Sequence, residues 1–295
     1  MATYTNLNLS RLADAALTAF TKRMLPLSAF SRSFTPESIT RHRGNVVLVP
    51  LIGTLTATTF ANSYAICGGT KSVVTVTINR HKLVHIGQHD LDAANNSESN
   101  LESLFGQAGR ALAQAVVEDV LTLVTTANFG AIGTAVSSTS LGTAGLRAGK
   151  LALDQANAPE GRSVLIDAVG MDALLAVTNF VQAHMFADNQ VLKEGRVMRA
   201  LGMDMYGLNS SFVAAASVAA FFCSSEAIAV AMRYLEPQRP TSYDNARAVS
   251  DDTGATFGIR DFFDPATGTR YIALEANYGY SAGITNAGRL QKTLD

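Results

Sequence analysis

Two β-rich runs, residues 46–51 and 73–78, flank a long Thr/Ala/Gly-rich stretch. This segment, residues 41–85, constrains the chain more than any other. Val and Thr dominate both runs, and Gly68-Gly69 offers a turn between them. Pro50 has no N–H to give to a ladder, so the first run belongs at a sheet edge. A two-stranded hairpin is too thin to bury itself and is marginal in water unless something covers it. Extended over about 15 residues a side, it reaches on the order of 50 Å. That is more than a connection within one compact domain requires. Arg41, Arg43, Lys71, Arg80 and Lys82 lie in this segment, which has no Asp or Glu. The expectation is a basic arm that projects from its own body and is covered by a neighbour.

The opposite charge follows at once. Residues 86–128 hold Asp90, Asp92, Glu98, Glu102, Glu118 and Asp119 against the single base Arg110. Leu101, Leu104, Phe105, Ala108, Leu112, Ala115, Val116, Val120 and Val124 recur there at helical spacing. Ser97 or Ser99 can cap this helix, and Glu102 stands three residues beyond Ser99 as in a capping box. The predicted helix ends near residue 126, a rod of roughly 40 Å, with Gly106 and Gly109 as weak points. Opposite charge on two adjacent segments predicts that the arm of one copy docks on the long helix of the next. The five arm cations and the six carboxylates are the expected inter-subunit contacts. Two rivals stand beside that reading. One is phosphate contact with nucleic acid, for which only Phe60 and Tyr64 are present as stacking platforms. The other is two solvated faces whose ion pairs each contribute about 0–1 kcal/mol.

Residues 9–25 read as a helix through Leu9, Leu12, Ala16, Leu17 and Phe20, ended by Pro26. Residues 1–45 hold six bases and two acids, which fits either a frayed terminal helix or a mobile arm docking on a partner. A Gly/Ser/Thr-rich link at 133–145 opens a second region. Helices at 146–156 and 171–177 alternate there with strands at 163–166, 194–206 and 227–232, as in a mixed α/β lobe. Ala158-Pro159-Glu160-Gly161 is a turn. The tail returns to β as a hairpin, 256–263 and 269–278, about Asp264-Pro265-Ala266-Thr267-Gly268. It is expected to lie beside the long helix.

Only 16% of the 295 residues are charged, against about 25% in typical soluble domains. A surface poor in charge suits extensive protein contacts. The net charge of −1 gives no general grip on nucleic acid. Cys67 and Cys223 form neither a disulfide framework nor a metal quartet; both read as packed thiols in a reducing compartment. The longest apolar run, 212–223, falls short of the roughly 20 residues a membrane span needs. Residues 1–10 lack a secretory pattern, so a soluble protein with no membrane partner is expected. His81, His85 and His89, with Asp90 and Asp92 nearby, are read as leaving a strand for a loop, as solvated or interface histidines rather than metal ligands. Gly68-Gly69-Thr70-Lys71 lacks the first glycine of a phosphate loop and a following helix. Glu118 and Asp119 are adjacent and point about 100° apart on a helix, which makes a poor acid/base dyad. No catalytic residue, cofactor or metal is expected, and the chain is not read as an enzyme.

The order of certain segments resembles the tailed-bacteriophage major capsid protein family, the Hong Kong 97-like fold. Arg43-Gly44-Asn45-Val46-Val47-Leu48-Val49-Pro50 is similar to the start of its extended loop, and Gly69-Thr70-Lys71-Ser72-Val73-Val74-Thr75-Val76 to the return strand. Ala115-Val116-Val117-Glu118-Asp119-Val120 falls where its spine helix lies. Ala158-Pro159-Glu160-Gly161-Arg162-Ser163-Val164-Leu165-Ile166 resembles the turn and strand of its axial domain. Leu192-Lys193-Glu194-Gly195-Arg196-Val197 and Gly202-Met203-Asp204-Met205-Tyr206 are similar to a further coat segment.

The resemblance implies an α+β chain with an N-terminal arm (1–40), an extended β-hairpin loop (41–85), a peripheral domain with the spine helix (86–130 and 256–295) and an axial α/β domain (131–255). It implies hexamers and pentamers closing an icosahedral shell around double-stranded DNA, touched without sequence preference. It also implies a portal, a virion location and assembly in the bacterial host cytoplasm. Because residue 1 opens directly on the arm, a separate scaffolding protein is expected. The rival from another class is an encapsulin-like compartment holding protein cargo. Lys71 lies on the arm, but no acceptor or catalytic acid for crosslinking is identified.

Overall fold

The computed structural model describes residues 9–34, 44–52, 57, 59, 71–89, 98–133, 135, 141–177, 197–208, 212, 218–235, 244–249 and 255–292. Two helices, α1 (Leu9–Met24) and α2 (Glu98–Leu121), lie on one face of a six-stranded sheet. The sheet runs β1 (Ser31–Phe34), β9 (Ile228–Arg233), β12 (Thr269–Ala282), β11 (Thr256–Asp264), β10 (Asp244–Val249), and β4 (Arg80–His89) lies along the other side of β12. Among the described strands of this sheet, β1 and β9 pair in parallel and the others antiparallel. A second sheet of five strands has the order β13 (Gly288–Lys292), β8 (Val218–Ser224), β5 (Arg162–Ile166), β7 (Met203–Gly207), β6 (Arg199–Ala200). It packs with α4 (Thr143–Gln155) and α5 (Ala168–Leu175). A short helix, α3 (Thr126–Phe129), follows α2. The third sheet is the arm alone, β2 (Val46–Ile52) with β3 (Lys71–Thr77).

The helical spacing in the first 25 residues has a structural cause. Leu12, Ala16, Phe20 and Met24 form one apolar stripe of α1, buried against Leu112, Val116 and Phe257 in the main core. The Phe20 and Phe257 rings sit 5.0 Å apart. α1 is therefore neither frayed nor a docking arm. It is a core element, and β1 after it completes a sheet edge. α2 spans 24 residues, about 36 Å, and ends five residues before the predicted limit. Its second glycine is no weak point: a Cβ on Gly109 would stand 2.5 Å from the Ala16 carbonyl oxygen. The missing side chain lets the two helices cross closely.

β8 explains the long apolar run. All seven of its residues are buried. Phe221 and Cys223 face the main core, while Ala220 and Phe222 face the second one. A strand covered on both faces reads as continuous apolar sequence rather than alternation. The 194–206 segment is not one strand. β6 and β7 pair across a two-residue turn at Leu201 (φ 53°) and Gly202 (φ 81°), the two left-handed positions of a type I′ hairpin. The tail hairpin forms as read. Asp264 fixes its turn by accepting from the Ala266 N–H and the Thr267 hydroxyl, both at 3.0 Å.

The sheets do not divide where the sequence was divided. β4 is one strand across residues 85 and 86, so it continues the body rather than the arm. β9 and β10, from within 131–255, join the first sheet, and β13, from the C-terminal stretch, joins the second. Strand pairing is a long-range choice that composition along the chain does not carry. No helix among the described residues is long and apolar enough to cross a membrane.

Candidate assembly surfaces

The arm's two strands pair in antiparallel register, Val46 opposite Thr77 through Ile52 opposite Lys71. Pro50 stands opposite Val73 in this isolated pair, at an edge as its missing N–H requires. Alternation gives the hairpin two different faces. Val47, Val49, Leu51, Val76 and Ile78 are buried and pack on Ala229 and Ala231 of β9. A Cβ on Gly279 would fall 2.2 Å from the Thr77 carbonyl oxygen, so the arm's base presses directly on β12. The projecting arm of the sequence reading is thus corrected at its base, where one apolar face is covered by the chain's own sheet. Its other face is bare: Leu48 is 62% exposed, and Val46 and Val73 are about half exposed. Within residues 53–70 only Ala57 and Thr59 are among the described residues.

Three consecutive residues fasten the strand that leaves the arm. The Arg80 guanidinium lies over the Tyr280 ring, 5.9 Å from its centre. His81 Nε2 is 3.1 Å from a Glu275 carboxylate oxygen, and Arg260 Nε donates to the other at 2.5 Å. Glu275 is nearly buried, so two partners are what such a carboxylate requires. Lys82 Nζ reaches Asp119 at 3.5 Å, and Tyr278 donates its hydroxyl to the same carboxylate at 2.6 Å. Burial and the Asp119 hydrogen bond push the Tyr278 phenol above its usual range.

The expected inter-subunit residues therefore have mixed fates. Arg41, Arg43, Asp90 and Asp92 lie outside the described residues, as do the side chains of Lys71 and Glu98. Lys82 and Asp119 pair with each other inside one chain. Glu102 pairs with Arg11, and Glu118 accepts from Gln114 at 2.8 Å. Opposite charges on neighbouring segments meet most cheaply at home, where no translational entropy is lost. Period-2 spacing carried the signal: Lys82, Val84 and Ile86 share a strand face, and Val84 and Ile86 pack on the helix side. Glu275, Arg260, Tyr278 and Tyr280 went unread, because only the fold brings them to this root.

His81, His85 and His89 are expected from the sequence at a strand's exit into a loop. All three are strand residues of β4 instead. Spaced four apart, they stand about 14 Å from one another, too far to share an ion. No three His, Cys, Asp or Glu residues converge among the described residues. Cys223 is fully buried, which pushes its thiol far above the usual range, as expected of a packed cysteine; Cys67 lies outside the described residues. Burial also raises the Asp167 carboxyl, which caps α5 by accepting from the Gly170 N–H at 2.7 Å.

No family model matches this chain, and no curated protein matches it by sequence. Solved structures do. A chain from Mycobacterium phage Che8 aligns at TM-score 0.55 and 16% identity, covering 84% of each chain. The capsid structure of cyanophage P-SCSP1u aligns at TM-score 0.55 and 14% identity, over 90% of this chain and 87% of that one. A virus-like particle from Pyrococcus furiosus aligns at TM-score 0.53 and 14% identity, over 95% and 97%. The fold is shared with phage capsid and virus-like-particle structures. More narrowly, it is the fold of tailed-phage major capsid proteins.

Proposed function

We propose that this chain is a structural capsid subunit that assembles into hexamers and pentamers of an icosahedral shell. The observation that carries the reading is the two-faced arm. One face is buried on the chain's own sheet, and an apolar face, Val46, Leu48 and Val73, is left for another copy. The length of chain shared with coat-fold structures supports it. In this reading α2 is the spine of a peripheral domain, and the α4/α5 lobe lies toward a capsomer axis. Arg41, Arg43 and Lys71 remain the arm cations available to a neighbour's Asp90, Asp92 or Glu98, while Arg80 lies over the Tyr280 ring of its own chain. Many modest interfaces then add up to a stable shell. Double-stranded DNA fills it through non-specific contacts, scaffolding and portal proteins assist, and assembly takes place in the host cytoplasm.

The test is electron microscopy of the purified full-length protein, beside a variant whose residues 53–70 are replaced by Asn-Gly. Ile52 and Lys71 stand opposite each other, so a two-residue turn can close the ladder. The wild type is expected to form closed shells and the variant a folded, unassembled protein. Wild-type-sized shells from the variant would refute the arm's role. Nucleic acid protected inside wild-type shells separates a genome container from a compartment for protein cargo.

A further inference from the structure

β4 is an open edge. It pairs with β12 over ten residues with no register shift, and among the described residues no strand takes its other side. Such an edge exposes a row of unpaired N–H and C=O groups about 33 Å long. Proteins usually blunt an edge like this with a bulge, a proline, a short strand or charged side chains, Lys above all. β4 has only the last, Arg80 and Lys82 at one end, and both are engaged within the chain. A second observation lies on the same sheet face. Leu83 is 52% exposed, and further along the strand, level with Gly87, the Phe262 and Tyr271 rings stack at 5.5 Å with Phe262 39% exposed. The arm covers the β9 side of this face and leaves these side chains bare.

We infer that the β4 edge is the docking strand for a second copy of this chain. Residues 81–89 of two copies pair antiparallel about a two-fold axis, with residue 85 opposite its own counterpart, and two six-stranded sheets become one. The inference rests on the reading of this chain as a self-associating subunit. Charge selects the geometry. Arg80, His81 and Lys82 crowd one end of β4, the other end is Gly87, Gln88 and His89, and the strand has no acid. A two-fold antiparallel pairing sets each end that carries Arg80 and Lys82 against one without Lys or Arg. An in-register parallel pairing stacks Lys82 on Lys82. The cations are also answered at home, Arg80 by the Tyr280 ring and Lys82 by Asp119. The register about residue 85 sets Lys82 opposite position 88, Leu83 opposite Gly87, and Val84 opposite Ile86 twice. Val84 and Ile86 are half-buried against the main core, so each pair extends that core across the axis. A slip of one residue would turn Leu83 toward the helices and is excluded by the pleat. The contact is isologous, as two-fold interfaces are.

Cysteine crosslinking of full-length protein, in a Cys67→Ser background, reads the pairing directly. On a two-fold axis, only one position of a strand faces itself. There the Cα atoms are about 4.5–5.5 Å apart, within disulfide reach. Residue 83 lies about 14 Å from its counterpart. After mild oxidation, His85→Cys should give disulfide-linked dimer at least about tenfold above Leu83→Cys or His89→Cys. Mixed His81→Cys and His89→Cys proteins should link to each other. No dimer at 85, equal yields at 83, 85 and 89, a different self-linking position, or linkage to another protein each overturns the inference. The readout does not require a shell. Closed shells without linkage at 85 sink this pairing and leave the capsid reading standing. Linkage at 85 in a protein that never closes shells does the reverse.

Discussion

Gly109 is where α1 and α2 touch. Any side chain there meets the Ala16 backbone, which cannot rotate away. Gly109→Ala should therefore destabilise by about 1–3 kcal/mol from overpacking, although alanine is the better helix former. Gly106, one turn earlier, has open space around it. Gly106→Ala should stabilise by about 0.5–1 kcal/mol. Urea denaturation midpoints of the two variants should move in opposite directions, and a shared sign would remove the close-crossing argument. Tyr278 makes a second test. Its buried hydroxyl donates to the Asp119 carboxylate, and Tyr278→Phe should cost about 1.5–3 kcal/mol, as for hydrogen bonds to charged groups. Because the folded-state pKa is raised, the phenol's contribution is fully present below the unfolded value near 10 and is lost as pH rises above it. The wild-type unfolding midpoint should fall above pH 10 more steeply than that of Tyr278→Phe.

The arm carries two opposite experiments on adjacent residues. Val49 is 2% exposed and packs on the β9 alanines. Val49→Ala should lower stability by about 1–2.5 kcal/mol, in line with losing two buried methyl groups. Leu48 points outward, and Leu48→Asn should change thermal stability by no more than about 0.5 kcal/mol while reducing assembly in light scattering. An unfolded Leu48→Asn protein, or one that assembles normally, would contradict the bare-face reading. The arm's pairing was legible because period 2 is a local signal, whereas the apolar run that holds β8 was read only as too short to span a membrane. The fate of α1 was not. Its stripe shows that one face is buried, but nothing in the stripe names α2 as the cover. The same holds for β4, whose Lys82, Val84 and Ile86 mark a helix-facing side while the preceding residues belong to the arm.

Two features act on assembly as a whole. Lys71→Glu combined with Arg43→Glu should slow association, most of all at low salt, where screening is weakest; unchanged assembly across 50–500 mM salt, about 14 down to 4 Å in Debye length, would end the docking role of those cations. Loss of the Lys82–Asp119 pair should act differently, as a small stability change with no salt-dependent assembly effect, since both groups are engaged within one chain. Local order in the sequence was sufficient for the arm and tail hairpins and the long helix, because periodicity and turn chemistry act over a few residues. The mixing of distant segments into two sheets, the home pairing of Lys82 with Asp119, and the open edge of β4 came only with the folded chain. Each depends on which surfaces meet across 40 to 200 residues, and hydrophobic burial, being non-directional, selects a buried face without naming its partner.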